Sequence, residues 1–106
     1  MRFLNPGRSR PVLPPVLAPC GELDLSSIAP LEAEIETALA QRRGVVLDAS
    51  SITFADSTFL RLVIAIHHRT DLRIAAPSPA VMRLFRVTGA DTFLHLYPTL
   101  EGALAA

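Results

Sequence analysis

The sequence predicts an α/β domain: a singly wound β/α fold of about four or five strands with its helices mainly on one sheet face. Three observations predict it. Short runs rich in β-branched residues alternate with amphipathic stretches along the chain. Parallel strands joined by helical crossovers turn right-handed, so strands added in one direction put their helices on one face. A chain of 106 residues makes a single domain with little left over for a second helical layer.

Residues 1–11 read as a loose arm ahead of a domain spanning 12–106. Pro6, Pro11, Pro14, Pro15 and Pro19 crowd this end, with Arg2, Arg8 and Arg10 and no acid before Glu22. Each proline removes a backbone donor, so a strand here belongs at a sheet edge. Prolines there also discourage edge-to-edge aggregation.

Val16 to Leu25 reads as a short strand running into a loop. Ser26 or Ser27 can cap a helix over 29–41, whose apolar face is Leu31, Ile35, Ala38 and Leu39. Glu32, Glu34 and Glu36 come early and Arg42 and Arg43 late, the order that suits the helix dipole. Gly44 is placed to stop the helix. Gly44–Asp48 reads as a buried strand, and a helix follows over Ser57–His68. Leu72–Ala76 is a further strand, closed by Pro77-Ser78-Pro79. A helix over 79–88 turns Val81, Leu84 and Phe85 inward and ends at Gly89. Phe93–Leu96 is the last strand, and Pro98-Thr99 opens a terminal helix with Leu100 and Leu104. Val46, Leu47, Val63 and Leu84 are expected in the core.

Composition narrows the function. Half the residues are hydrophobic, enough for a packed core and too many for disorder. Ten arginines balance ten acids and lysine is absent, so no basic footprint points to nucleic acid. The single cysteine, Cys20, allows neither an intramolecular disulfide nor a multi-thiolate metal site; it reads as a small buried hydrophobe. No run approaches a membrane span or a signal peptide, which gives the cytosol as the expected compartment. His67 and His68 are neighbours on different helix faces and, with His95, read as core or surface filling, not as metal ligands. No nucleophile–base–orienter set, phosphate-binding glycine loop or metal motif occurs, so neither an enzyme nor a cofactor is expected.

The most informative stretch is Phe54-Ala55-Asp56-Ser57-Thr58-Phe59. It lies where a strand ends and an apolar helix begins. A serine there can face solvent at the positive end of the helix dipole, where a phosphate is tolerated and a partner can sense it. A serine after aspartate is also a common cap, and Asp56 can itself be the cap and leave Ser57 free.

Four motifs occur in order: Gly21-Glu22-Leu23-Asp24-Leu25-Ser26, Asp56-Ser57-Thr58-Phe59-Leu60, Ser78-Pro79-Ala80-Val81-Met82-Arg83-Leu84-Phe85 and Thr88-Gly89-Ala90-Asp91. Together they resemble a STAS domain, the fold of bacterial anti-sigma factor antagonists, from about Val12 to Ala105. The resemblance implies phosphorylation-controlled partner switching. The unmodified protein would bind an anti-sigma factor, often also a serine kinase, and so free a sigma factor; a phosphatase would reverse the mark. It implies Ser57 as phosphoacceptor with Thr58 as second choice. Partner contact is expected from Asp24, Asp56, Thr58, Phe59 and Arg61. The alternative is a non-phosphorylated STAS scaffold or transporter-associated regulatory module.

This chain departs from the family at two places. The family usually carries Gly two residues after the acceptor and often a small residue two further on; here these are Phe59 and Arg61. Phe59 reads as a recognition hot spot on the surface or as a side chain tucked against Leu62 or Val63. The surface role is the expectation carried forward.

Overall fold

A computed structural model describes residues 13–41 and 44–106. The expected arm over 1–11 and the Arg42-Arg43 pair lie outside the described residues. The elements run β1 (Val16–Leu17), β2 (Gly21–Leu23), α1 (Ala29–Leu39), β3 (Val45–Asp48), β4 (Ile52–Ala55), α2 (Ser57–Arg69), β5 (Leu72–Ala75), α3 (Pro79–Thr88), β6 (His95–Tyr97) and α4 (Leu100–Ala105). A 3-10 turn over Ala90–Thr92 precedes β6.

All pairings are parallel. Four strands form one sheet in the order β1-β3-β5-β6, and β2 pairs with β4 in a second sheet. The two-residue β1, flanked by Pro14, Pro15 and Pro19, takes the edge, where neighbouring residues without a backbone donor cost the ladder least. The chain thus lays two consecutive strand segments, β1 then β2, along β3 then β4. A bulge between Gly21 and Glu22 shifts the register of the second pair, and Gly21 takes the positive φ of 82° that glycine accepts without strain.

Side-chain alternation in β3 and β5 divides the core. Val45 and Leu47 of β3, with Leu72 and Ile74 of β5, join the large cluster built from Leu31 and Ile35 of α1, Phe59, Val63 and Ile66 of α2, and Val81 and Phe85 of α3. Val46 and Ala75 point the other way and meet Ala103 of α4. Three helices therefore share one face and the short α4 covers part of the other. Arg73 helps fasten α4, its guanidinium donating to the Ala103 carbonyl at 2.9 Å. Val46, Leu47 and Val63 are buried as expected. Leu84 is only half-buried, because it sits where α3 turns from the core toward an open groove.

Several local expectations shift for physical reasons. Neither Ser26 nor Ser27 caps α1: the N-cap is Ile28 with no side-chain acceptor. The serine hydroxyls are taken up by Asp24 and the Glu22 carbonyl, and Pro30 in the first turn removes one donor that a cap would serve. The helix stops at Leu39, short of residue 41, and the Gln41 N–H closes a tighter bond to the Ala38 carbonyl at 3.1 Å. Strand β4 is additional to the sequence reading. The last strand begins at His95 because Phe93 and Leu94 both donate back to the Ala90 carbonyl. Cys20 is exposed, not buried.

Gly44 does not end a helix; it lets two chain segments touch. A Cβ there would lie 2.6 Å from the Asp71 carbonyl oxygen, the same oxygen that accepts the Val45 N–H at 2.9 Å. Gly44→Ala must push β3 away from the entrance to β5. A loss of about 1–3 kcal/mol is expected, the usual cost of overpacking, visible as a lower urea midpoint with an unchanged slope.

Candidate functional site: the first turn of α2 and its flanks

Asp56 is the N-cap of α2, in extended backbone at φ −125° and ψ −163°. Its carboxylate accepts the Thr58 N–H at 2.9 Å, and its carbonyl accepts the Leu60 N–H at 3.1 Å. Asp56 therefore does the capping, one of the two alternatives the sequence leaves open. Ser57 is the first helical residue and is exposed. Its hydroxyl makes no hydrogen bond among the described residues. Thr58 is half-buried behind it. Of the two hydroxyls, Ser57 is thus the accessible one, beside unpaired first-turn N–H groups that favour an anion.

The parallel pairing of β2 and β4 brings a second acid to this end. Leu23 pairs with Ala55, so Asp24 and Asp56, the next residue on each strand, leave the sheet side by side. Asp24 organises its own turn: Oδ1 accepts the Ser26 N–H at 3.0 Å and the Ser26 hydroxyl at 2.7 Å. The Asp24 N–H donates to the Ser27 hydroxyl oxygen at 3.0 Å, and that hydroxyl donates to the Glu22 carbonyl at 2.7 Å. The Ser26 hydroxyl first, then that of Ser27, holds the Asp24 carboxyl below the usual carboxylate range. The turn is thus negatively charged at neutral pH, and it presents Leu25 81% exposed at its tip.

Phe59 is not a surface residue. It is 0% exposed and stacks on Phe85, with ring centroids 6.4 Å apart and planes 15° from parallel. The expected recognition role is corrected: this side chain joins α2 to α3 through the core. Phe59 shares the buried face of α2 with Val63 and Ile66, four and seven residues on. Arg61 is exposed on α2 and forms no ion pair among the described residues.

Residues without a site role in the sequence reading add an apolar flank. Phe54 of β4 is 47% exposed and Val87 of α3 is 79% exposed. With Ala55, Pro79, Ala80, Arg83 and Leu84 they line an open groove of about 430 Å³. Phe54 and Ala55 run directly into Asp56 and Ser57, so the groove adjoins the start of α2 along the chain. Ile52 and Phe54 share a strand face by their spacing, yet Ile52 is buried and Phe54 exposed, so a period-2 pattern does not reveal the groove.

The three histidines meet away from this site. The His67 ring lies 5.7 Å from His68, 5.5 Å from His95 and 5.6 Å from Phe93. No group of His, Cys, Asp and Glu side chains with metal-holding geometry occurs among the described residues. No helix among them is long and apolar enough to cross a membrane.

The chain is similar to known proteins. The family model described as "Mlab, STAS domain" matches residues 9–98. A solved anti-sigma factor antagonist from Mycobacterium paratuberculosis is 30% identical, with a TM-score of 0.78 over 85% of this chain and 81% of that one. The anti-sigma factor antagonist SpoIIAA in its unphosphorylated form is 24% identical, with a TM-score of 0.63 over 76% of each chain, a likeness of fold. No curated protein matches the chain. A family match over most of its length, on the β/α architecture with Asp56 and Ser57 at the head of α2, means that the chain belongs to the STAS domain family.

Proposed function

We propose that this protein is an anti-sigma factor antagonist controlled by phosphorylation of Ser57. The unmodified form binds an anti-sigma factor that is also a serine kinase, and so releases a sigma factor. The kinase transfers the γ-phosphoryl group of ATP to Ser57 Oγ, the hydroxyl proton leaves to a base of the kinase, and ADP departs. The phosphorylated form then lets go, and a phosphatase resets it. One observation carries the reading: Ser57 is exposed at the first turn of α2 while Asp56 does the capping. The 30% identity to a solved anti-sigma factor antagonist supports the partner class.

The chemistry suits the position. A phosphate adds nearly two charges and three acceptor oxygens, and the free N–H groups of the first turn meet it without unwinding the helix. The domain keeps its shape and the message is read at the surface, from the added charge beside Asp24 and Asp56. Docking on this end also covers the apolar groove from Phe54 to Val87, which supplies contact area that does not depend on charge.

Incubation with the cognate kinase and ATP, followed by phosphosite mapping, tests the proposal. Label is expected on Ser57 and not on the half-buried Thr58. Binding of the partner without label on either residue would sink the switch and leave the scaffold or transporter-associated module.

A further inference from the structure

We propose that Arg61 is an intramolecular latch for the phosphate on Ser57, so that phosphorylation removes a cation from the docking surface as it adds an anion. The inference rests on Ser57 as the phosphoacceptor. Both residues lie on the single helix Ser57–Arg69, at positions i and i+4. Side chains at that spacing are neighbours on one helix face, with Cβ atoms about 5–6 Å apart. Their order is the favourable one, anion toward the N-terminus and cation one turn later. Every Cα–Cβ bond in a helix tilts toward the N-terminus, so the Arg61 stem leans toward Ser57.

No acid among the described residues holds the Arg61 guanidinium. Arg61 is exposed and, among the described residues, forms no ion pair, whereas Arg69 on the same helix is held by Glu36 at 2.9 Å and Arg73 by Asp71 at 3.0 Å. Its planar fork matches two phosphate oxygens at once, which an ammonium cannot do. The neighbouring acids, Asp24 and Asp56, already spend carboxylate oxygens on Ser26 and Thr58. In the unmodified protein Arg61 is therefore free to meet an acidic group of the partner. In the phosphorylated protein it turns back onto its own chain, and the partner meets an anion where it had met a cation.

The test uses the whole chain with phosphoserine encoded genetically at position 57, which needs no kinase. Phosphorus NMR follows the second ionisation of the phosphate, ordinarily near 6, in the Arg61, Arg61→Lys and Arg61→Gln proteins. A latch lowers that pKa by about half a unit or more relative to Arg61→Gln, since a facing cation favours the dianion. Arg61→Lys falls between, and the difference shrinks in 1 M salt because the pair is exposed. The helix dipole acts equally on all three proteins and cancels. Equal pKa values in the Arg61 and Arg61→Gln proteins would overturn the latch. A latch seen here, with a kinase that never labels Ser57, would leave the latch standing and bring down the switch. A labelled Ser57 whose phosphate ignores Arg61 would do the reverse.

Discussion

Phe59→Ala should destabilise the domain by roughly 3–5 kcal/mol, the range for emptying a buried aromatic position. The ring is wholly buried and its face covers Phe85. Truncation leaves a void between α2 and α3 that rigid strands on the other side cannot fill, and it also removes the stacking contribution. In a domain of this size each kcal/mol moves the midpoint by about 4–8 °C, so a fall of well over 10 °C is expected by calorimetry. Phe59→Leu keeps most of the volume and should recover more than half of the loss. A truncated protein that melts normally yet fails to bind its partner would restore Phe59 to the surface and contradict the packing of α2.

Phosphorylation of Ser57 should weaken partner binding more than 100-fold. A phosphate brings nearly two negative charges, more than Arg61 alone offsets; enclosing the excess at an interface costs about 3–5 kcal/mol, as for other broken buried charge pairs, and each 1.4 kcal/mol is about tenfold in affinity. Titration calorimetry on the modified and unmodified proteins reads this directly. Ser57→Ala should bind like the unmodified wild type in the presence of kinase and ATP. It should also fold as well as the wild type, because the cap is Asp56; by contrast Asp56→Ala should lose about 1 kcal/mol. Ser57→Asp should weaken binding less than phosphate does, since one carboxylate carries less charge and fewer acceptors. Equal affinities for the phosphorylated and unphosphorylated forms would end the switch reading.

The sequence carries the architecture well because most elements announce themselves locally. Helix α3 begins at Ser78, whose hydroxyl accepts the Val81 N–H at 3.3 Å, and ends on Gly89 at φ 80°; both signals are single residues readable in place. The β-branched run at Val45 and Val46 and the edge position of β1 between prolines are equally plain. What stays hidden is set by distant contacts. Strand β4 exists because the three residues of β2 return to pair with it, and nothing within Ile52–Ala55 specifies that partner. Helix α4 takes the other sheet face because Val46, Ala75 and Arg73 present a landing place there. At the site, the position of Ser57 follows from a local rule, strand end then cap then helix. The burial of Phe59 does not: it depends on Phe85, 26 residues further on, and a spacing pattern within α2 alone is satisfied by either face. The exposed Phe54 and Val87 become one groove only when β4 and α3 lie together.

The division of labour between Asp56 and Ser57 has an evolutionary consequence. Asp56 anchors the helix and, under the proposed switch, its neighbour carries the signal, so the two properties can drift separately. A lineage can lose the hydroxyl at position 57 and keep a well-folded domain that is permanently engaged, or swap it for threonine and change kinase preference, without first finding a compensating mutation. Loss of the aspartate, in contrast, weakens the scaffold under whichever hydroxyl follows. Substitutions at position 57 should therefore be the common route by which such a switch is retired or rewired, and substitutions at position 56 should be rare even among descendants that no longer signal.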